Sequence, residues 1–312
     1  MRPKTTLLLL FNFFIAASFA QVRLVDCSFE RNADNSISIY ADSRIDGEYT
    51  LKITFNGLAG YTSTALFGGD IALTTIQRGK QEVMKLVPVK TASMYNSQFK
   101  YTYYAGRSLR KSPDSSFVYL LPSTEGNLLR IVPVSSLAER VGKKSDGPVA
   151  TGFTYNLGDT ICATRAGIVY DCNDAVTDGE KRNQTFRSER NRIAIQHKDG
   201  SIGNYSAVAP ILLLVKEGDN VIPGQPLAVF NKQSDKYHLL FSTYYLDEKK
   251  LLADNSSGTT IPPAYSNLSP RFYADEINKS ASLQANKVYK VQQPKEIIAS
   301  EMSKKEKKKL GL

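Results

Sequence analysis

An alternation of apolar and polar residues with a period of two predicts β-strands throughout the first part of this chain. It is clearest in Tyr49–Phe55, where YTLKITF places an apolar side chain at every second position, as a half-buried strand requires. Turn dipeptides such as Asp46-Gly47 and Asn56-Gly57 separate this stretch from its neighbours. The spacing predicts a small β-sandwich. Its seven strands are expected at Ser36–Tyr40, Tyr49–Phe55, Ile71–Ile76, Glu82–Pro88, Phe99–Tyr104, Phe117–Leu121 and Leu128–Val132.

The length of the chain indicates more than one hydrophobic core. Its 312 residues exceed the size of an ordinary single domain. A polar, turn-rich stretch at 142–148 marks the predicted boundary. The fold class expected is therefore all-β with a few short helices, predicted near 135–141, 246–252 and 271–278. The expected divisions are a β-sandwich at 21–145, a second β domain at 146–250, and a C-terminal extension with a basic tail at 251–312.

The first twenty residues have the pattern of a secretory signal peptide. Arg2 and Lys4 precede the apolar run Leu7–Ala17, and Ser18-Phe19-Ala20 ends it in the small-x-small form of a cleavage site. The run is shorter than the roughly 20 residues that span a bilayer. The sequence therefore predicts a signal peptide at 1–20 and a secreted or periplasmic protein without a transmembrane helix.

The charge of the chain is strongly positive. The formal charge is +10, and loss of Arg2 and Lys4 with the signal peptide takes it to +8. Part of it lies in the run Lys304-Lys305-Glu306-Lys307-Lys308-Lys309. Such a tail is either a solvated end or a contact for an anionic envelope polymer. No module with interleaved basic and aromatic residues is present, so nucleic acid is not an expected partner.

The three cysteines leave two alternatives open. In an oxidising compartment Cys162 and Cys172, on neighbouring predicted strands, would form a disulfide and leave Cys27 single. Alternatively, all three are buried free thiols. Their spacing does not fit a zinc finger.

Four motifs follow one another in the second half of the chain. The first is a glycine-bounded hairpin, GDTICATRAGIV at 158–169, and the second is NRIAIQHKDGS at 191–201. The third is VKEGDNVIPGQPL at 215–227, whose glycines suit tight corners, and the fourth is HLLF at 238–241. In this order they resemble the lysostaphin/LytM-like family of secreted zinc metallopeptidases that cleave peptidoglycan. The resemblance spans Ser145 to Phe241 and implies the duplicated hybrid motif of that family.

The resemblance also implies where a zinc site would lie and how this chain departs from it. The family holds zinc through an early histidine and aspartate and through the second histidine of an H-x-H strand. The matching aspartate position is Gly152, the H-x-H position is Leu240, and no histidine precedes His197. An accessory histidine is replaced by Ala207, whereas His238 is retained. One imidazole cannot hold zinc tightly. We therefore expect neither a metal nor another cofactor, and no catalytic residue.

These departures favour an exported, catalytically inactive homologue. The resemblance implies binding or regulation, with peptidoglycan, a cell-wall hydrolase or another envelope protein as partner. The old groove is the expected surface, lined by Tyr155, Tyr205, His238 and Tyr244. Two alternatives stay open. One is an active zinc endopeptidase with non-standard ligands such as Asp199 or Asp235, and the other is a scaffold subunit of an envelope complex.

Overall fold

The fold was analysed in a computed structural model, which describes residues 24–67, 69–92, 94–134, 150–174, 191–253, 264–274 and 282–311. The predicted signal peptide, the predicted helix at 135–141 and the linker at 142–148 lie outside these ranges. The described residues form strands joined by turns, with three short helices. The all-β prediction is confirmed. No described helix is long and apolar enough to cross a bilayer.

The first unit is a sandwich of two four-stranded sheets. The sheets have the orders β1-β2-β7-β4 and β5-β6-β3-β8, with antiparallel pairing. Apolar side chains such as Ile39, Leu51, Ile53 and Leu86 fill the core between them. The strands are β1 Val25–Arg31, β2 Ile37–Ser43, β3 Tyr49–Phe55, β4 Tyr61–Thr62, β5 Leu66–Phe67, β6 Ile71–Ile76, β7 Gly79–Pro88 and β8 Phe99–Ala105.

The second unit is larger and holds the remaining strands. A ten-stranded sheet packs against a three-stranded sheet, β13-β19-β17, and a parallel pair, β10-β22, adjoins them. The strands are β9 Ser108–Leu109, β10 Val118–Tyr119, β11 Leu128–Val132, β12 Ala150–Thr154, β13 Thr160–Cys162, β14 Gly167–Asn173, β15 Asn191–Gln196, β16 Ser201–Ala207, β17 Ile211–Leu213, β18 Asn220–Val221, β19 Pro226–Phe230, β20 His238–Asp247, β21 Tyr265–Leu268, β22 Arg271–Phe272 and β23 Val288–Lys290. The helices are α1 Glu248–Ala253, α2 Lys295–Ile298 and α3 Lys304–Leu310.

The observed strand pairing places the boundary between the two units earlier in the chain than the sequence predicted. The strands expected at Phe117–Leu121 and Leu128–Val132 were assigned to the sandwich, yet β10 and β11 pair with β22 and β12. The strand β9, also within the predicted range of the sandwich, pairs with β20. The sandwich therefore ends near residue 105 rather than 145. The C-terminal stretch is also no appendage, because β21, β22 and β23 pair with β20, β10 and β11. The prediction of a helix at 271–278 is wrong at its start, because Arg271–Phe272 is a strand.

The two units share buried surface. Tyr170, Ala194 and Ile202 of the second unit belong to the hydrophobic cluster of the sandwich. Leu246 of β20 and Leu251 of α1 cover the other face of the sheet that contains β3, so this strand is buried on both faces rather than half-buried. Its Lys52 is only 6% exposed and donates to the carbonyl of Leu251 at 2.8 Å.

Candidate functional site

Strand β20 forms the centre of the ten-stranded sheet and carries the HLLF motif. It pairs with β12 through 238–242 and with β16 through 239–245. Side chains alternate across a strand, so Leu239 and Phe241 enter the hydrophobic core while His238 and Leu240 point to the opposite side. We call that opposite side the outer face. Near His238 it consists of Arg130, Thr154, Ser206, His238 and Leu240, which are half-buried except for the exposed Arg130.

The structure brings two of the family-matched ligand positions together on this outer face. Gly152 of β12 is the direct cross-strand partner of Leu240. His238 lies two residues away on the same side and pairs with Thr154. Ala207, in contrast, is 1% exposed and packs in the hydrophobic core on the other side of the sheet. The sheet therefore juxtaposes Gly152, His238 and Leu240 but not Ala207.

The space above Gly152 is filled by hydrocarbon. Strand β11 places Val132 directly opposite Gly152. A Cβ atom at residue 152 would overlap Cγ2 of Val132, and it would lie 2.9 Å from Cγ2 of Val134 and 3.0 Å from the carbonyl oxygen of Val132. Any side chain at 152 would therefore have to push Val132 and Val134 aside. Zinc does not fit these residues, because Leu240 offers no donor atom and an aspartate at 152 has no room.

Asp199, one of the two alternative ligands, lies far from His238. Among the described residues, no group of three His, Cys, Asp or Glu side chains is arranged to hold a metal ion. Asp199 follows β15, in the turn that leads to Ser201, and Ser201 pairs with Tyr245 at the far end of β20. Tyr245 lies seven residue steps along β20 from His238, a distance of about 23 Å.

Two of the three tyrosines expected in the groove are core residues. Tyr155 and Tyr205 are 3% and 1% exposed. The Tyr155 hydroxyl donates to the carbonyl of Pro122, and the Tyr205 hydroxyl accepts from the backbone N–H of Thr164 at 2.8 Å. Neither side chain can line an open groove, so that prediction is wrong. No sequence signal marks these two tyrosines as core residues, because a tyrosine whose hydroxyl reaches a backbone group is as compatible with a core as with a surface.

Tyr244 lies on the outer face but far from His238. It is half-buried against the sandwich, and its hydroxyl is 3.4 Å from Nη2 of Arg192 and 3.4 Å from the hydroxyl of Tyr170. The sandwich packs on this end of the outer face, where it contacts Ala194 and Ile202 of the second unit. Tyr244 therefore belongs to the contact between the two units.

The disulfide expected between Cys162 and Cys172 is not formed. All three cysteines are free. Cys162 lies in β13 of the three-stranded sheet, whereas Cys172 lies in β14 of the ten-stranded sheet with its sulfur toward the carbonyl of Val215. Burial raises the pKa of both thiols, that of Cys162 to about 12. The three thiols are free, as the alternative expected, but only Cys162 is buried, whereas Cys27 and Cys172 are half-buried.

The sequence reading missed a buried ionic cluster around Arg165. The side chain of Arg165 is 3% exposed, and its guanidinium lies 3.7 Å from the ring centre of Phe117. Nη1 donates to Asp199 at 2.8 Å, and Nε and Nη2 donate to the two carboxylate oxygens of Glu301 at 2.9 and 2.5 Å. This is the fork geometry that suits arginine rather than lysine. The available sequence signal was an arginine in a hairpin whose one other charged residue is Asp159.

His197 borders this cluster and is almost fully buried. Its Nδ1–H donates to the carbonyl of Ala166 at 2.8 Å, which makes Nε2 the unprotonated nitrogen. Nε2 has no hydrogen-bond partner among the described residues, and a Cβ at Gly203 would lie 2.8 Å from it. Burial, and secondarily the charge of Arg165, lower the pKa of His197 to about 4. His197 is thus a neutral structural residue.

The contact between Val132 and Gly152 can be measured with a double-mutant cycle. We expect Gly152→Ala to cost about 1–3 kcal/mol of unfolding free energy, since the added methyl overpacks the contact. In a Val132→Ala background the same change should cost at least about 1 kcal/mol less. Denaturant unfolding of the four proteins tests this. Equal costs in both backgrounds would contradict the packing described for Gly152.

The buried state of His197 predicts a pH dependence of stability. Its folded pKa is lowered, so below pH 6.5 the unfolded chain binds a proton that the folded chain does not. Stability should therefore fall as the pH decreases from 6.5 toward 4, by roughly 2 kcal/mol between pH 7 and pH 5.

His197→Asn keeps a donor near Ala166 but does not titrate. Its unfolding free energy should change less between the same two pH values, even if the variant is less stable at both. Urea unfolding of both proteins at each pH gives the comparison, and parallel pH profiles would rule out His197 as the cause.

Comparisons with known proteins give matches only among solved structures. No protein family model matches the chain, and no curated protein sequence matches it. The chain is similar to the catalytic domain of the antimicrobial peptidase lysostaphin from Staphylococcus simulans, with 16% identity over 48% of this chain and 88% of that domain, at a TM-score of 0.27.

Two longer structures show similarity at a comparable level. One is Csd3 from Helicobacter pylori, with 13% identity over 78% of this chain and 77% of that one, at a TM-score of 0.29. The other is a zinc-containing peptidase from Vibrio cholerae, with 15% identity over 70% of this chain and 75% of that one, at a TM-score of 0.26.

Proposed function

We propose that this chain is an exported, catalytically inactive relative of the lysostaphin/LytM-like peptidases that binds peptidoglycan at the bacterial envelope. The observation that carries the proposal is the closed space above Gly152. There Val132 and Val134 occupy the volume that a ligand side chain would need. Export rests on the signal-peptide pattern at 1–20, and the family relationship rests on the four motifs in their order.

The loss of zinc is supported by packing as well as by residue identity. A catalytic zinc site needs three protein ligands and an open position for water. Leu240 and Gly152 face each other where two of those ligands would lie. Because two valine side chains and a backbone carbonyl oxygen crowd Gly152, a single substitution would not reopen the position. The arrangement supports binding without hydrolysis.

The open end of the outer face is the surface we assign to binding. Arg130 is exposed there, and His238 and Thr154 lie beside it on neighbouring strands. Peptidoglycan stem peptides carry carboxylates, which a cationic side chain beside hydrogen-bonding groups can hold. Leu240 adds apolar contact area between them. A cell-wall hydrolase would be the alternative partner for the same surface.

Sedimentation with isolated peptidoglycan sacculi tests the proposal. We expect the purified chain to sediment with sacculi and the double variant Arg130→Ala/His238→Ala to bind at least about fivefold more weakly, a loss of about 1 kcal/mol. Arg31→Ala, at an exposed end of β1, is the matched control and should bind like the unaltered chain.

Two further measurements, of peptide release from the sacculi and of partner capture in a pull-down, complete this experiment. The sacculi should release no soluble peptides during incubation, with or without a chelator. Absence of sedimentation together with absence of a hydrolase in a pull-down would contradict the proposal. Release of peptides that stops on chelation would show instead an active metallopeptidase.

A further inference from the structure

The C-terminal lysine run forms an ordered helix rather than a frayed end. In α3, Lys304–Leu310, the Ser303 side chain accepts from the backbone N–H of Glu306, and the Glu306 carboxylate accepts from the backbone N–H of Ser303 at 2.7 Å. This capping box fixes the first turn. Gly311 closes the other end in the left-handed conformation, with φ of 68°.

The helix is anchored to the body of the protein through Glu301. Its carboxylate, two residues before the capping Ser303, accepts two hydrogen bonds from the buried guanidinium of Arg165. Ala299, just before it, is 8% exposed, and Val291 belongs to the main hydrophobic core. The ion pair therefore holds the start of the lysine helix at a defined place on the second unit.

The charge on this helix is concentrated and outward-facing. Lys304, Lys305, Lys308 and Lys309 are exposed and Lys307 is half-buried, while the one acid, Glu306, is used in the capping box. The hydrogen bonds of the capping box lower the pKa of Glu306, and the charge of Lys198 lowers it further. Lys198, an exposed residue after β15, therefore lies near the helix. Five lysines therefore lie within a helix about 10 Å long, with a sixth nearby.

The distribution of these lysines decides which kind of anion fits. At 100° per residue they span about 200° of the helix circumference. A helix that inserts into the surface of a lipid bilayer needs an apolar face, and the sequence of α3 contains a single apolar residue, Leu310. A flexible linear polyanion can follow charge around a curved surface, so it matches this pattern better than a flat membrane does.

We propose that helix α3, held in place by the Arg165–Glu301 ion pair, is a docking surface for a linear, phosphate-bearing polyanion outside the cell. Binding is electrostatic and does not depend on the outer face or on the loss of the zinc site. The ion pair contributes because a helix already fixed in position loses little conformational freedom when the polymer binds.

Calorimetric titration with long-chain inorganic polyphosphate tests this inference. For a single-stranded polyanion the logarithm of affinity falls with the logarithm of salt by about 0.7 per phosphate neutralised, so the four exposed lysines predict a slope of about −3. Lys304→Gln/Lys308→Gln should bring the slope to about half that value. Lys232→Gln/Lys236→Gln removes the same charge from exposed positions elsewhere and should leave it unchanged.

The anchor is tested by a pair of substitutions that make equal changes in net charge. Glu301→Ala removes the anchor, whereas Glu296→Ala removes an exposed carboxylate of α2. Net charge alone predicts that both variants bind more tightly. We expect Glu301→Ala to bind at least about threefold more weakly and Glu296→Ala to bind as tightly as the unaltered chain or more so. Asp199 still neutralises Arg165 in the first variant.

Ser303→Ala provides a second route to the same question, because it removes the capping bond without touching Arg165. It should weaken polyphosphate binding and speed amide exchange in α3.

Equal affinities for Glu301→Ala and Glu296→Ala would overturn the role of the anchor. Uptake of the chain by vesicles of anionic phospholipid, without binding of polyphosphate, would overturn the choice of ligand. Sedimentation with sacculi through Arg130 and His238 is a separate readout.

Discussion

The pairing of β20 between β12 and β16 is the constraint from which the site follows. It fixes which residues of the HLLF motif enter the core, and a shift of one residue would turn Leu239 and Phe241 outward. The same register brings Leu240 opposite Gly152, and β11 adds Val132 on the far side of Gly152. What the motif places on the outer face is therefore one imidazole among hydrocarbon and hydroxyl groups.

A second interaction connects the C-terminal segment to the hairpin at 158–169, the first of the four motifs. Arg165 is buried, so its charge requires partners, and these come from the turn after β15 and from Glu301 near the end of the chain. The cluster explains why residues 282–311 belong structurally to the second unit. It also gives the lysine run a fixed location, which a solvated tail would not have.

Much of the fold could be predicted from local patterns. Tyr49–Phe55 and Ile71–Ile76 were placed correctly because their alternation and flanking turns are local properties of the sequence. The pairing of β11 with β12, across a sequence gap that includes 135–149, could not be predicted, because strand partners depend on long-range packing that leaves no periodic signal. For the same reason the burial of both faces of β3 was missed.

The residues of the site could be predicted from the sequence, but the side chains that surround them could not. Gly152, Ala207 and Leu240 could be read from the motifs, yet Ala207 lies on the opposite side of the sheet from Leu240, and Tyr155 and Tyr205 are core residues. Sequence spacing fixes the order of residues along strands. It does not reveal which neighbour, such as Val132, fills the space above a glycine.

Calorimetric titration of the purified chain with Zn²⁺ at neutral pH addresses the central claim most directly. The account predicts no stoichiometric site tighter than about 1 μM, because one imidazole with weak or no further ligands does not hold zinc. A single tight site that disappears in His238→Ala would show that donors do converge beside Leu240, and the account of a closed ligand position at Gly152 would be wrong.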